Sequence, residues 1–278
     1  AVAYCQPSFF HNAGNKEMKS RNISLYYEIH GKGEPLLLIA GLDSDNSSWA
    51  GVCEKLAKYF RVIVFDNRGS GRSDTPDRKY SIREMADDAV SLLDHLKIKK
   101  CHIIGHSMGG YIAQEIAIRY PERLGKLVLE ATASVSSRRN NALLKDFFKI
   151  FEKYRNAETL IRQWVYWLFS PKTFERKNYI AEFIKKASTY RYLQSPKGFK
   201  IQIDAIASFN ASAKIKNIKA KTLVISGSDD ILIYPEESTE LVKRIKGSVF
   251  EKIKDTGHCV HVENPGAFTF KVMQFLKQ

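Results

Sequence analysis

Apolar and polar positions change their spacing in a regular order along the chain. From Asn22 to His30 they alternate, as in a half-buried strand, and Gly31-Lys32-Gly33 predicts a turn that makes this segment part of a hairpin. The continuous apolar run from Leu36 to Ala40 predicts a buried strand. From Ser48 to Phe60 the spacing becomes helical, with Ser47 or Ser48 as the expected N-cap.

The same alternation between strand-like and helix-like spacing of apolar residues recurs through the rest of the chain. Further strands are predicted at residues 61–65, 101–105, 126–130, 222–225 and 249–254, and further helices at 81–98, 108–120, 236–245 and 265–276. Strands that are separated by helices need crossover connections, which join parallel strands. We therefore expect an α/β fold with a mostly parallel, twisted sheet and helices on both faces.

One long segment interrupts this order. Between the strands at 126–130 and 222–225 the spacing is helical throughout, which predicts several helices inserted between two strands of the sheet. We expect residues 1–133 and 217–278 to form the α/β core and residues 134–216 to form a helical cap, or lid.

Length and composition limit the remaining choices. A chain of 278 residues with 44% apolar residues is long enough for one large core, and no apolar run approaches the length of a membrane-spanning helix. The four cysteines are too widely spaced for a disulfide framework or for a zinc site. These features predict a protein with reduced thiols in the cytoplasm, without a cofactor, a metal or a membrane span. A processed leader before Ala1 remains an alternative.

The positive charge is concentrated in the predicted cap. The formal net charge is +14, and residues 131–200 contain 15 Lys and Arg against 5 Asp and Glu. The segment has no zinc, helix-turn-helix or RNA-recognition signature, so we do not expect a nucleic-acid partner. Two interpretations stay open: a solvated surface, or a positive field that attracts an acidic partner.

The pattern Gly105-His106-Ser107-Met108-Gly109 falls where a predicted strand ends and a helix begins. A serine on such a sharp turn is exposed for attack on a substrate, and small residues two positions away on each side avoid backbone collisions. A serine hydroxyl needs a base and a carboxylate that orients the base. Candidates follow later strands, in Asp229-Asp230 and in Gly257-His258, so that all three groups can meet at one edge of a parallel sheet.

With these motifs the chain resembles the α/β-hydrolase superfamily, from Ile23 to the C-terminus. The other matching stretches are Phe65 to Ser73, Gly227-x-x-Asp230 with Pro235-Glu236, and Gly257-His258 with Glu263-Asn264-Pro265. The resemblance implies an α/β-hydrolase fold, with Ser107 as nucleophile, Asp230 as orienting acid and His258 as general base. Asp229 is the rival for the acid by register, and Glu130 at the end of a sheet strand is a third candidate.

Two further histidines could be confused with the base. We interpret His261 as a hydrogen-bonding partner for polar groups of a loop or as a side chain that packs against the cap. We interpret His106 as structural, because the side chain of His106 points away from Ser107 in such a turn. The resemblance also implies an oxyanion hole made by the backbone N–H groups of Leu42 and Met108. The family usually has a histidine at the position of Ala40, so the rigidity of this loop and the placement of Asp43 and Asp45 are in question.

Apolar and basic side chains of the predicted cap provide the substrate and docking candidates. The expected pocket residues are Trp164, Trp167, Phe148 and Phe151. The expected basic docking residues are Arg138, Arg139, Lys145, Lys149, Arg155 and Arg162.

The predicted function is a serine hydrolase that cleaves a carboxylic ester through an acyl-serine intermediate. A serine at the nucleophile position is inconsistent with the dehalogenase and epoxide-hydrolase branches, which use an aspartate. The chain is similar to the enol-lactonase-like esterases, through Ala40-Gly41-Leu42, and by charge placement to esterases of carrier-protein methyl esters such as pimeloyl-carrier protein. The partners expected are therefore a small acyl ester and, in the second case, an acidic carrier protein. Alternatives are a lactonase, a perhydrolase, a carbon–carbon hydrolase, a lipase at anionic membranes, or a binding protein on an inactive scaffold.

Overall fold

The protein is described from a computed structural model that covers residues 16–20, 23–154 and 156–278. In this part of the chain eight strands form one sheet, and helices cover both of its faces. The strands are β1 (Lys16–Ser20), β2 (Ile23–His30), β3 (Glu34–Ile39), β4 (Phe60–Phe65), β5 (Cys101–His106), β6 (Leu124–Glu130), β7 (Thr222–Gly227) and β8 (Val249–Ile253).

Helices fill the intervals between the strands. They are α1 (Ala50–Leu56), α2 (Ile82–His95), α3 (Met108–Arg119), α4 (Arg138–Tyr154), α5 (Ala157–Leu168), α6 (Pro171–Phe174), α7 (Tyr179–Ser188), α8 (Pro196–Ser208), α9 (Pro235–Arg244), α10 (Val260–Glu263) and α11 (Pro265–Leu276). Single 3₁₀ turns lie at Asn46–Trp49, Pro121–Arg123 and Ile215–Asn217. None of the described helices is both long enough and apolar enough to cross a bilayer.

The sheet has the order β1-β2-β4-β3-β5-β6-β7-β8. β2 is antiparallel to β1 and β4, and every other neighbouring pair is parallel. The expected α/β fold with a mostly parallel sheet is therefore confirmed. The carboxyl ends of β3, β5, β6, β7 and β8 lie at one edge, where the loops that follow them meet.

Two local predictions at the N-terminal side were wrong. The turn at Gly31–Gly33 does not pair β2 with β3, because β4 lies between them in the sheet. The hairpin partner of β2 is β1, a polar strand that the apolar spacing did not reveal. Neither serine is the N-cap: Asp45 caps the 3₁₀ turn Asn46–Trp49 that leads into α1, its carboxylate accepting a hydrogen bond from the N–H of Ser47, and α1 itself follows Trp49 without a side-chain cap.

Each face of the sheet has its own core. On one face Leu37 and Ile39 of β3 pack with α2 and α3, and on the other face Leu36 and Leu38 pack with α1 and α11. Burying each of these side chains stabilises the fold by about 1.5–3 kcal/mol. The helices α4 to α8 are all inserted between β6 and β7, and α4, α5, α7 and α8 contribute apolar side chains to the first of these cores. Their packing places them over the edge where the loops meet.

Candidate active site

Ser107 lies on a strained turn between β5 and α3. Its backbone has φ +54° and ψ −116°, a conformation that L-residues rarely adopt. The close packing of the turn explains its glycines, since a Cβ on Gly105 would lie 2.3 Å from the carbonyl oxygen of Gly109. A Cβ on Gly109 would lie 2.1 Å from the carbonyl oxygen of Ile39. Only glycine at these two positions lets the turn present Ser107 at the sheet edge.

A buried carboxylate contacts His258. Asp230 Oδ2 lies 2.9 Å from His258 Nδ1, and the side chains are 0% and 2% exposed. The other oxygen, Oδ1, accepts hydrogen bonds from the backbone N–H groups of Leu232 and Ile233, both at 2.9 Å. Asp230 is thus held in one orientation, which fixes the histidine ring.

The rival acids contact other groups. Asp229 Oδ1 accepts a hydrogen bond from the hydroxyl of Ser228 at 2.8 Å. Glu130 Oε1 lies 2.9 Å from His261 Nδ1 and also accepts the backbone N–H of His261 at 2.9 Å. Of the three acids considered, Asp230 is the one whose carboxylate reaches His258.

His106 and His261 are buried behind the candidate catalytic histidine. His106 Nε2 lies 3.1 Å from the carbonyl oxygen of His258, a spacing at which the ring N–H supports the histidine loop. Burial lowers the pKa of His106 well below its usual range, and the neighbouring His261 and His258 lower it further. His106 is therefore a neutral hydrogen-bonding group in the core.

Three potential metal ligands also meet in this region. Ligand atoms of His106, Glu130 and His261 lie within 4.8 Å of one another. Glu130 Oε1 and His261 Nδ1 are engaged with each other and His106 Nε2 is engaged with the backbone, whereas Glu130 Oε2 and His261 Nε2 are buried and have no hydrogen-bond partner among the described residues. The three side chains therefore form a buried polar network that is only partly satisfied by hydrogen bonds within the described residues.

The loop after β3 carries the candidate oxyanion donor Leu42. Leu42 and Met108 both line the same cavity as Ser107 and His258. The side-chain amide of Asn67 donates a hydrogen bond to the carbonyl oxygen of Ala40 at 3.0 Å, and so ties this loop to the segment after β4.

A carboxylate after β4 and one within the loop reinforce its position. Asp66 accepts the backbone N–H of Asn46 at 2.9 Å, and Asp45 accepts the hydroxyl proton of Tyr190 at 2.6 Å. The loop is thereby held on both sides although the family histidine is missing.

The cavity above Ser107 is small and mainly apolar. Its free volume is about 50 Å³. The lining residues are Leu42, Asp43, His106, Ser107, Met108, Tyr111, Ser136, Asn140, Leu144, Trp164, Leu168, Ile206, Leu232, Ile233 and His258. The geometry therefore suits a short substrate group next to Ser107.

Only one of the four predicted pocket residues of the cap lines this cavity. Trp164 does, whereas Trp167, Phe148 and Phe151 are outside the lining found in the described residues. Phe151 packs edge-on against Phe199, with ring centroids 6.2 Å apart. The guanidinium of Arg139 lies over the ring of Trp167, with its carbon atom 5.1 Å from the ring centroid. Helical spacing gave the apolar face but could not separate residues that pack on helices from residues that face the site.

Several predicted docking side chains already have partners within the protein. Arg139 donates to the carbonyl oxygen of Ile231 at 2.9 Å, and Lys149 and Arg162 form ion pairs within their own helices. Arg138 and Lys145 are exposed on α4. Arg155 lies outside the described residues.

Sequence reasoning missed a clamp between the inserted helices and the histidine loop. Glu263 Oε1 accepts the backbone N–H of Gly257 at 2.6 Å. Its Oε2 accepts the N–H and the hydroxyl of Ser170 at 2.8 and 2.7 Å, and the hydroxyl of Thr173 at 2.7 Å. Burial raises the pKa of Glu263, and these hydrogen bonds oppose that shift. The clamp joins the start of α6 to the residue before His258.

Known proteins with the same fold are similar to this chain over most of its length. The profile of the family described as alpha/beta hydrolase fold matches residues 34–265. A protein from Rhizobium rhizogenes, provisionally named carbamate hydrolase RutD, is 27% identical over 259 residues, which cover 91% of this chain and 98% of that protein. A protein of the same name from a Caulobacter species is 29% identical over 264 residues, covering 91% and 95%.

Solved structures of hydrolases also superimpose on most of this chain. The enol-lactonase from Burkholderia xenovorans superimposes with a TM-score of 0.86 at 26% identity, covering 95% of this chain and 100% of that one. A thermophilic esterase from Thermogutta terrifontis gives a TM-score of 0.85 at 27% identity, covering 95% and 98%. The related proteins thus include hydrolases with different named substrates.

Proposed function

The chain belongs to the α/β-hydrolase family, and from that premise we propose that it is a serine hydrolase that cleaves a short acyl ester through an acyl-serine intermediate. The observation that carries the proposal is the buried contact between Asp230 and His258, together with the cavity that His258 and Ser107 both line. The esterase and the enol-lactonase among the solved relatives support acyl transfer as the reaction class.

The contact of His258 with Asp230 supports the following order of proton transfers. Because Nδ1 faces Asp230, Nε2 is the nitrogen that takes the proton of the Ser107 hydroxyl as it attacks the carbonyl carbon. The backbone N–H groups of Leu42 and Met108 receive the negative charge that develops on the carbonyl oxygen. His258 then protonates the leaving alcohol, and water attacks the acyl-serine with the same histidine as base.

Two finer candidates follow from separate observations. The names of the curated relatives favour a carbamate as the bond that is cleaved, and a carbamate carbonyl fits the same chemistry. The positive charge of residues 131–200 favours an acyl methyl ester borne by an acidic carrier protein. The small cavity favours a free, short substrate over a long acyl chain.

A substrate panel tests the proposed function. We expect kcat/KM for p-nitrophenyl esters to be highest at two to four acyl carbons and to fall by about tenfold or more at eight to twelve, because each excluded methylene loses its burial energy. A p-nitrophenyl carbamate and a lactone in the same panel decide the bond type. Turnover of every compound at the level of Ser107→Ala would overturn the proposal.

A further inference from the structure

One tyrosine of the inserted segment contacts the loop that carries the proposed oxyanion donor Leu42. Tyr190 lies between α7 and α8, and its hydroxyl donates a hydrogen bond to Asp45 Oδ2 at 2.6 Å. Asp45 follows Leu42 in the same loop and is 3% exposed. Tyr190 and Asp45 are 145 positions apart in the chain, so this contact joins the inserted helices to the loop after β3.

Asp45 is the centre of the hydrogen bonds that shape this loop. Its Oδ1 accepts the backbone N–H and the hydroxyl of Ser47 at 2.9 and 2.6 Å. Its main-chain carbonyl oxygen accepts the hydroxyl of Ser48 at 2.9 Å. Because Tyr190 binds the remaining carboxylate oxygen, it fixes the rotation of the group that caps the turn. A displacement of Tyr190 would therefore be passed on to the loop.

Tyr190 is held as a hydrogen-bond donor. Burial raises the pKa of its phenol, and the neighbouring carboxylate of Asp45 raises this pKa further, so the hydroxyl keeps its proton at neutral pH. The ring packs edge-on against Tyr192, with ring centroids 5.7 Å apart. A hydrogen bond from a hydroxyl to a carboxylate is stronger than one between neutral groups. The contact is thus suited to holding a loop in place.

The loop needs such support close to Leu42. Asp43 has φ +55°, in the left-handed region that few residues other than glycine occupy. Such a conformation persists only where the surrounding contacts hold it. The amide of Asn67 holds the start of the loop through the carbonyl oxygen of Ala40, and Tyr190 holds the part that follows Asp43. Leu42 lies between these two points of attachment.

We propose that Tyr190 is a positioning residue that, by way of Asp45, holds the backbone N–H of Leu42 where the oxyanion develops. The inference rests on the proposed function and adds that the inserted helices complete the oxyanion hole. Stabilisation of a transition-state charge depends on donors that are already in place, so a small displacement of Leu42 would slow the reaction. Turnover then depends on how the segment between α7 and α8 sits on the loop after β3.

A substitution that removes a single oxygen atom tests this role. Tyr190→Phe keeps the ring and deletes the donor, and we expect kcat/KM for p-nitrophenyl butanoate to fall about tenfold, through kcat rather than KM. The thiono analogue of this ester carries sulfur, a weak hydrogen-bond acceptor, in place of the carbonyl oxygen. Its kcat/KM should fall less than about threefold, so that the ratio of ester to thionoester decreases.

This ratio distinguishes positioning from a structural role. A smaller fraction of folded enzyme lowers both rates equally and leaves the ratio unchanged. Tyr166→Phe, which removes the hydroxyl of an exposed tyrosine in α5, is the matched control and should change neither rate. Equal losses for the ester and the thionoester in Tyr190→Phe would overturn the inference.

Hydrogen–deuterium exchange separates this inference from the proposed function. In Tyr190→Phe, peptides that cover residues 40–49 should exchange about threefold faster or more, whereas peptides of β5 should not change. Faster exchange in this loop without any turnover by the wild type would contradict the proposed function and support the holding role of Tyr190. Unchanged exchange of residues 40–49 would overturn the inference whatever the activity.

Discussion

Adjacent aspartates after β7 differ in what their carboxylates touch. Asp230 is buried, receives two backbone N–H groups and contacts His258, whereas Asp229 bonds to Ser228 in its own loop. Sequence spacing placed an acid in this loop but left the two positions open, because one residue of register in a loop reverses which side chain faces inward. The glycines around Ser107, in contrast, could be interpreted from the sequence, because their spacing reflects the backbone packing of the turn.

The first prediction concerns the orienting carboxylate. We expect Asp230→Asn to fold normally but to lose about 10³- to 10⁴-fold in kcat, because the amide would favour the wrong tautomer of His258. Asp229→Asn serves as the matched control and should change kcat less than about threefold, which steady-state kinetics on the best ester of the panel would measure. A larger loss in Asp229→Asn than in Asp230→Asn would assign the acid to the other residue.

At the scale of elements, the inserted helices and the loop that carries His258 are joined by one buried carboxyl group. Glu263 in α10 links Ser170 and Thr173 at the start of α6 to Gly257, which precedes His258. The sequence predicted that a cap exists but could not predict this link, because its partners are about 90 positions apart and their polarity is typical of any loop.

The second prediction tests this link as a positioning device. Glu263→Gln replaces one carboxylate oxygen, an acceptor, with an NH₂ group that faces existing hydrogen-bond donors. We therefore expect the Tm to fall by about 5 °C. We also expect kcat to fall about tenfold at a temperature where the protein is folded. KM should change little, because Glu263 does not line the cavity.

The exposed Glu175, which pairs with Lys172 near the same helix, provides the control. Glu175→Gln should leave both kcat and Tm unchanged. A Tm decrease in Glu263→Gln with full kcat would show that the clamp supports the fold without positioning His258.

At the scale of the whole molecule, the spacing of apolar residues was sufficient to predict the α/β class but did not predict the strand β1 at the edge of the sheet. Strands β2 to β8 are apolar enough to stand out, whereas β1 is Lys-Glu-Met-Lys-Ser, in which Met18 is buried and the three charged side chains are exposed. The position of β4 between β2 and β3 is a long-range choice that local spacing does not encode. The excess positive charge was visible in the sequence, but its distribution into ion pairs such as Lys149 with Asp146 needed the structure.

The third prediction tests docking of an acidic carrier by this charge. If a carrier is the partner, raising the salt concentration from 50 to 500 mM should lower kcat/KM for a carrier-bound methyl ester by about tenfold and leave a free methyl ester unaffected, because screening weakens only the long-range attraction. Reversing the exposed Arg138 and Lys145 to glutamate should have the same selective effect. Equal rates for carrier-bound and free esters at all salt concentrations would remove the carrier from the proposal.

We propose that Ser107 acts as a nucleophile activated by His258 and Asp230. Treatment with diethyl p-nitrophenyl phosphate, followed by intact-mass and peptide mass spectrometry, tests it directly. We expect one diethylphosphoryl group per chain, located on Ser107, with no adduct in Ser107→Ala and much slower labelling in Asp230→Asn. Equal labelling of the wild type and Ser107→Ala, or an adduct on a different residue, would contradict it.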